Sequence, residues 1–458
     1  MSLLTEKKNG FLTLTDDQVA EADNFCEGYK YFLDESKTER EAVDYVIKAA
    51  EAKGFVPFDY DTEYKAGDKI YLNNRGKSIC LAVIGKNGAK NGVKISAAHI
   101  DSPRLDLKPI PLYEKNDTAM FKTHYYGGIR KYQWVAMPIA MHGVFAKKDG
   151  TVEKVRIGED ESDPVFCITD LLPHLAQEQV TKTLGAAFTG EDLNITVGSR
   201  PVRIEDEKEK NLFKKNVMTI LNDKYGITED DFLSAEIEFV PAFKARDIGF
   251  DRSLIGSYGH DDRVCAYPAL QAIFNCGIPE STCITVLTDK EETGSDGNTG
   301  LNADYLRYFV TDLAEKEGFK GRHVLSKSMC LSADVTAAFD PNYPSAFEAN
   351  NSAYLNYGVG VSKYTGSRGK GGTTDANAEF VAKVRKIFDD AGAIWQMAEL
   401  GRVDLGGGGT VAKYIANMDV DVIDVGVPVQ SMHSPFEIVS KIDVYEAYVA
   451  FKAFFESK

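Results

Sequence analysis

Four short apolar runs, each followed by an imidazole or a carboxylate, constrain this chain more than any other feature. Residues 94–98 lead into His99-Ile100-Asp101, and 284–288 lead into Asp289, Glu291 and Glu292. Residues 329–333 lead into Asp334, and 422–425 are followed after a short loop by His433. Runs of this length bounded by polar residues suit buried strands. Helical stripes alternate with them: 264–274 with Gly277 after it, then Phe380, Val381, Val384, Ile387 and Phe388, then 444–455. Such alternation predicts an α/β fold, a mixed sheet flanked by helices on both faces. Open α/β sheets gather ligands beyond the carboxyl ends of their strands. The polar residues at those ends are therefore expected to converge, joined by Asp261 just before the helix at 264.

The rest of the chain frames that sheet. Ser36-Lys37-Thr38-Glu39 is read as a capping box opening a helix through Val43, Val46, Ile47 and Ala50, which Gly54 ends. Strand-like stretches follow at 69–72 and 79–84. From 102 the texture changes to alternating segments, 152–157, 195–197 and 237–240, between charged turns, with one amphipathic helix over 207–225. We expect 1–101 plus 247–458 to form the sheet domain and 102–246 to form a β-rich insert.

Charge and cysteine usage exclude several classes. Lys plus Arg number 53 against 69 Asp plus Glu, a net charge of −16. An acidic surface repels phosphate backbones, so no nucleic acid partner is expected. No apolar run reaches about 18 residues, so no membrane-spanning helix is expected. The opening MSLLTEKKNG is too polar for a secretory leader. Seven cysteines without a C-x-x-C pair read as reduced thiols of a cytoplasmic protein.

The residues at the strand ends suit metal chemistry. His99, Asp261, Glu292, Asp334 and His433 offer two imidazoles and three carboxylates, enough to hold a pair of divalent ions, zinc foremost, with manganese or cobalt as alternatives. Two ions roughly 3.5–4 Å apart need a bridging carboxylate. In His99-x-Asp101 the carboxylate can take the second imidazole N–H and fix the tautomer. In Glu291-Glu292 one residue can ligate while its neighbour stays uncoordinated as a general base. Other motifs fail. Gly76-Lys77-Ser78 resembles the end of a phosphate loop, but Tyr71 stands where its first glycine belongs. Gly406-Gly407-Gly408-Gly409-Thr410 lacks the dinucleotide order and is read as a place of close backbone approach, to a substrate among other options. His124, His142, His260 and His323 show no site spacing.

At these residues the chain resembles the aspartyl aminopeptidase family, which includes the vacuolar aminopeptidase I type. The matching segments are Ala98-His99-Ile100-Asp101-Ser102-Pro103, Asp261 with Ala269-Leu270-Gln271-Ala272, and Glu291-Glu292-x-Gly294-Ser295. Ser332-Ala333-Asp334, Pro341-Asn342-Tyr343 and Ser431-Met432-His433-Ser434 complete them in the same order. The resemblance implies a zinc-exopeptidase-like fold and a dinuclear zinc aminopeptidase. It assigns one ion to His99, Asp261 and Asp334 and the other to Asp261, Glu292 and His433, with Asp261 bridging. It makes Glu291 the general base and Asp101 the residue that orients His99. It makes the insert a dimerisation domain, whose Ile168-Thr169-Asp170-Leu171-Leu172-Pro173-His174-Leu175 segment carries His174 to stabilise the tetrahedral oxyanion. It also implies a tetrahedral homododecamer built from dimers, acting on peptides with a free N-terminus.

Two departures qualify the resemblance. Asp262 follows the bridging aspartate where asparagine is usual, and the lysine of acid-selective members aligns with Lys363 or with Ser362. The N-terminal residue preferred, acidic or neutral to hydrophobic, is therefore left open. Rival readings are a dinuclear deacylase or carboxypeptidase, and a non-catalytic assembly protein of the same fold.

Overall fold

The computed structural model describes residues 3–4, 6–203 and 209–458. It divides into two compact units: residues 1–101, 245–432 and 436–458 form one, and 102–244 with 433–435 form the other. His433, Ser434 and Pro435 thus group with the insert.

Alternation along each strand builds the first unit. In the Ser78–Val83 strand, Ile79, Leu81 and Val83 join one apolar cluster while Cys80 and Ala82 join another. Leu287, Leu331 and Ile423 face the first cluster, and Val286, Cys330 and Val422 the second. Successive side chains point to opposite faces, so the sheet is buried on both. Phe32, Val46, Leu270, Phe388 and Phe451 cover one face, from helices Asp16–Glu35, Glu39–Ala52, His260–Asn275, Ala378–Ala391 and Lys441–Glu456. Phe309, Val324 and Ile415 cover the other, from Tyr305–Lys316, Gly321–Leu325 and Ala412–Ala416. Each fully buried Val, Leu or Phe contributes roughly 1.5–3 kcal/mol.

Among the described residues this sheet has nine strands. Its middle is four parallel neighbours in the order Cys283–Thr288, Lys94–His99, Met329–Ser332 and Asp421–Gly426. Antiparallel pairs flank them, Ser78–Val83 with Cys283–Thr288 and Val359–Ser362 with Asp421–Gly426. The sheet is therefore mixed, as expected. Its register sets Thr288 opposite His99 and sets Ser332 opposite both Ala97 and Asp424, so the four carboxyl ends lie along one edge. A second sheet orders Arg246–Ile248, Leu254–Ser257, Glu437–Ser440, Pro428–Gln430 and Thr336–Ala337.

One local expectation, the capping box, is corrected, and a second, the close backbone approach of the glycine run, is met within the chain. The capping box runs from Thr38 to Glu41, because Ser36 still caps the end of the preceding helix. The Gly406–Gly409 run meets the chain's own backbone: a Cβ on Gly407, whose φ is +101°, would lie 1.8 Å from the Gly366 carbonyl oxygen. That closeness needs glycine there.

The second unit is an antiparallel six-stranded sheet among its described residues, ordered Val152–Ile157, Ile139–Ala146, Ala235–Pro241, Arg104–Lys115, Thr118–Tyr126 and Ile195–Gly198. Phe121, Phe145, Phe232 and Phe239 pack in its core with ring centroids 5.2–6.2 Å apart. Its longest helix among the described residues is Leu212–Tyr225, and the predicted start at 207–208 lies outside the described residues. Glu114 caps it, accepting the amides of Phe213 and Lys214 at 2.8 and 3.0 Å.

Candidate metal centre

The sheet unit brings six of the predicted residues to the edge where its parallel strands end. His99 is the last residue of Lys94–His99, and Asp101 follows two residues on. Glu291 and Glu292 occupy a single 3-10 turn after Cys283–Thr288, bracketed by Lys290 and Gly294 in left-handed conformations, φ 68° and 94°. Asp334 follows Met329–Ser332. Asp261 and Asp262 open the His260–Asn275 helix with non-helical dihedrals, and the peptide between them is cis. Gly426, ending the neighbouring strand, has no side chain; a Cβ there would stand 1.7 Å from the Asp334 carbonyl oxygen.

His99 is the hub. Its Nδ1–H donates to the Asp101 carbonyl at 3.0 Å and lies 3.3 Å from an Asp101 carboxylate oxygen. That contact turns Nε2 toward Asp261 Oδ1, at 3.0 Å, and toward Glu291 Oε2, at 3.8 Å. The Asp101 carboxylate also forks, Oδ1 accepting the Glu291 amide and Oδ2 the Glu292 amide, both at 3.2 Å. One buried carboxylate therefore orients the imidazole and the acidic turn together. Asp262 Oδ2 accepts the His99 backbone N–H at 3.2 Å.

Among the described residues, two groups place one ligand atom each within 4.8 Å of one another: His99, Asp261 and Glu292, and His99, Asp262 and Asp334. Their electrostatics are those of concentrated negative charge. Burial raises the pKa of Asp262 well above the carboxylate range, and neighbouring Asp261 adds to it. Burial, then the charges of Glu291 and Asp262, does the same to Asp334. Burial disfavours the charged His99 ring, but hydrogen bonds to Asp101 and Asp261 and the charge of Glu291 outweigh it and hold its pKa well above the ordinary value. Asp262 Oδ1 and Asp334 Oδ2 are buried without a hydrogen-bond partner among the described residues. Imidazole nitrogen and carboxylate oxygens are zinc donors, and buried carboxylates in this density need cationic charge. The residues present fit divalent metal ions.

Two further predicted residues, His433 and His174, group with the insert. His433 belongs to the insert's grouping, its Nδ1 2.9 Å from the Gly128 carbonyl. His174 is exposed on the insert. In the sequence Asp262 stands only as a departure beside the ligands. The only available signal was its adjacency to Asp261; the contact with His99 spans 163 residues.

A family model described as aminopeptidase I zinc metalloprotease (M18) matches residues 32–455. A probable M18 family aminopeptidase 1 from Clostridium acetobutylicum is 50% identical over 460 residues, covering 99% of this chain and 98% of its own. The crystal structure of an M18-family aminopeptidase from Thermotoga maritima superposes with a TM-score of 0.95 at 45% identity, covering 99% of this chain and 100% of that one. A yeast structure described as the mApe1 dodecamer shares the fold at 20% identity, with a TM-score of 0.76 and coverage of 96% and 97%.

Proposed function

The chain belongs to the M18 family of aminopeptidase I zinc metalloproteases, and from that premise we propose that the cluster around His99 holds two divalent ions, zinc foremost, and hydrolyses the first peptide bond of substrates with a free N-terminus. Zinc aminopeptidase activity is the family's; the ion count, the residue roles and the substrate choice are our reading. The observation that carries it is the convergence of His99, Asp261, Asp262, Glu292 and Asp334, with ligand atoms within 4.8 Å in each of two groups.

His99, Asp261 and Asp334 would hold one ion, and Asp261, Glu292 and His433 the other, with Asp261 shared. His433 rests on the resemblance of its Ser-Met-His-Ser motif. The ions, when bound, lower the pKa of the attacking water and polarise the scissile carbonyl. Glu291 takes the water proton and returns it to the departing amine; its amide is fixed on Asp101, which aims the turn. Asp101 keeps the His99 Nδ1–H engaged, so Nε2 stays directed at the centre. His174 is assigned to the developing oxyanion by resemblance.

The insert is proposed as a dimerisation surface of a tetrahedral homododecamer. Leu171, Leu172, Leu175, Val180 and Leu184 are exposed on it, a large apolar surface for a lone chain. The seven thiols, none in a disulfide, suit the cytoplasm, and among the described residues no helix is long and apolar enough to cross a membrane.

A panel of aminoacyl chromogenic substrates, free or N-acetylated, tests the reading with zinc, manganese or cobalt returned to stripped protein. Cleavage restricted to free amines supports it and, across acidic, neutral and hydrophobic residues, gives the preference. Equal cleavage of acetylated substrates would favour a deacylase.

A further inference from the structure

Asp261 stands at a break in the backbone. Its dihedrals, φ −79° and ψ 106°, and those of Asp262, φ −117° and ψ 25°, lie outside the helix that they open. The first amides of a helix lack partners within it and need them from elsewhere. Asp261 finds one in Glu437, whose Oε2 accepts its backbone N–H at 3.1 Å across 176 residues. Glu437 is 1% exposed and begins the Glu437–Ser440 strand, opposite Ser257 of the strand that leads into this helix.

Adjacent residues are held too, by different chemistry. His260 accepts the Tyr29 hydroxyl on Nδ1 at 2.6 Å and donates from Nε2 to the Ile255 carbonyl at 3.2 Å. Arg263 donates to the Lys37 carbonyl at 2.6 Å. Tyr29 and Arg263 hold the flanks of Asp261 by neutral or cationic donors, whereas Glu437 grips Asp261 itself through a carboxylate acceptor. A residue whose carboxylate must point at two ions has little rotational freedom to spare, and its backbone amide is the point from which χ1 is set.

We propose that Glu437 is a positioning residue: it fixes the backbone of Asp261 so that the carboxylate meets the His99 imidazole in the orientation that metal binding requires. This rests on the reading of Asp261 as the shared ligand. Side chains that support ligands in this indirect way typically change metal affinity by about 10–100-fold when removed.

The test is zinc titration of the stripped full-length chain against a competing chelator, for Glu437→Gln, Glu437→Ala, Glu437→Leu and Asp261→Ala, with the melting temperature of each metal-free variant measured in parallel. Glutamine keeps an acceptor oxygen, so E437Q is expected to bind within about threefold of the parent. E437A and E437L are expected to bind about tenfold or more weakly while folding cooperatively, and D261A is expected to lose the shared ions. Parent-like binding by E437A and E437L beside a metal-poor D261A would overturn the positioning role and leave the ligand reading standing. Two ions retained by D261A would overturn the ligand reading itself. E437Q as weak as E437A would replace an acceptor role by one of charge, and failure of both E437A and E437L to fold would make Glu437 a folding residue; either result also overturns the proposal.

Discussion

At the scale of residues, Asp101 makes two sets of contacts that the sequence displays separately. The His99-x-Asp101 spacing was legible as an oriented imidazole. Its grip on the Glu291 and Glu292 amides was not, because those contacts span 190 and 191 residues. Asp101→Ala is expected to weaken zinc binding by about 10–100-fold and to lower kcat, read by chelator competition and steady-state kinetics. Glu291→Gln is expected to keep its zinc and lose about 10²-fold or more in kcat; unchanged kcat would remove Glu291 as the base. Adjacent acids were visible as a pair in Glu291-Glu292. Asp261-Asp262 is the same kind of pair, and folding gives its second member a place beside His99 and Asp334. No pattern in the sequence marks Glu437, since its partner is a backbone amide.

At the scale of elements, the parallel strands bring the site together, and their apolar runs made them readable. Residues 284–288 and 422–425 extend only slightly, to Cys283–Thr288 and Asp421–Gly426. Strand order is not carried by such runs. Lys94–His99 sits between Cys283–Thr288 and Met329–Ser332, strands that follow it by nearly two hundred residues and more, and only side-chain packing selects that order. Gly426 shows the cost of one wrong atom in this arrangement. Gly426→Ala would drive its methyl into the Asp334 carbonyl. A loss of about 1–3 kcal/mol is expected from the forced shift, seen as a lower melting temperature together with weaker zinc binding. A stable variant with parent zinc affinity would show that Asp334 is not held there.

At the scale of the whole molecule, the same fold that assembles the site buries carboxylates away from it. Glu446 on the Lys441–Glu456 helix accepts the Ile394 amide at 2.8 Å, and burial, only partly offset by that bond, lifts its pKa from 4.5 to about 7. A raised acid holds its proton more tightly folded than unfolded. Its contribution to stability is therefore full below about 4.5 and is lost as pH climbs through 7. Glu446→Gln keeps an acceptor without the ionisation, so its stability is expected to fall less than the parent's between pH 5 and 8, by on the order of 1–3 kcal/mol in denaturant titrations. Equal slopes would show that Glu446 is neutralised some other way. A change of texture near residue 102 was visible in the sequence. The grouping of His433 with the insert was not, since its loop comes some 190 residues after the insert ends. The number of ions that the sheet edge holds when the enzyme works separates a two-metal reaction from a one-metal reaction. Zinc bound per chain, measured by elemental analysis as stripped protein is reloaded stepwise, should reach two at the point where turnover of a free-amine aminoacyl substrate saturates. Full turnover with one zinc per chain, or with none, would contradict the two-metal reaction.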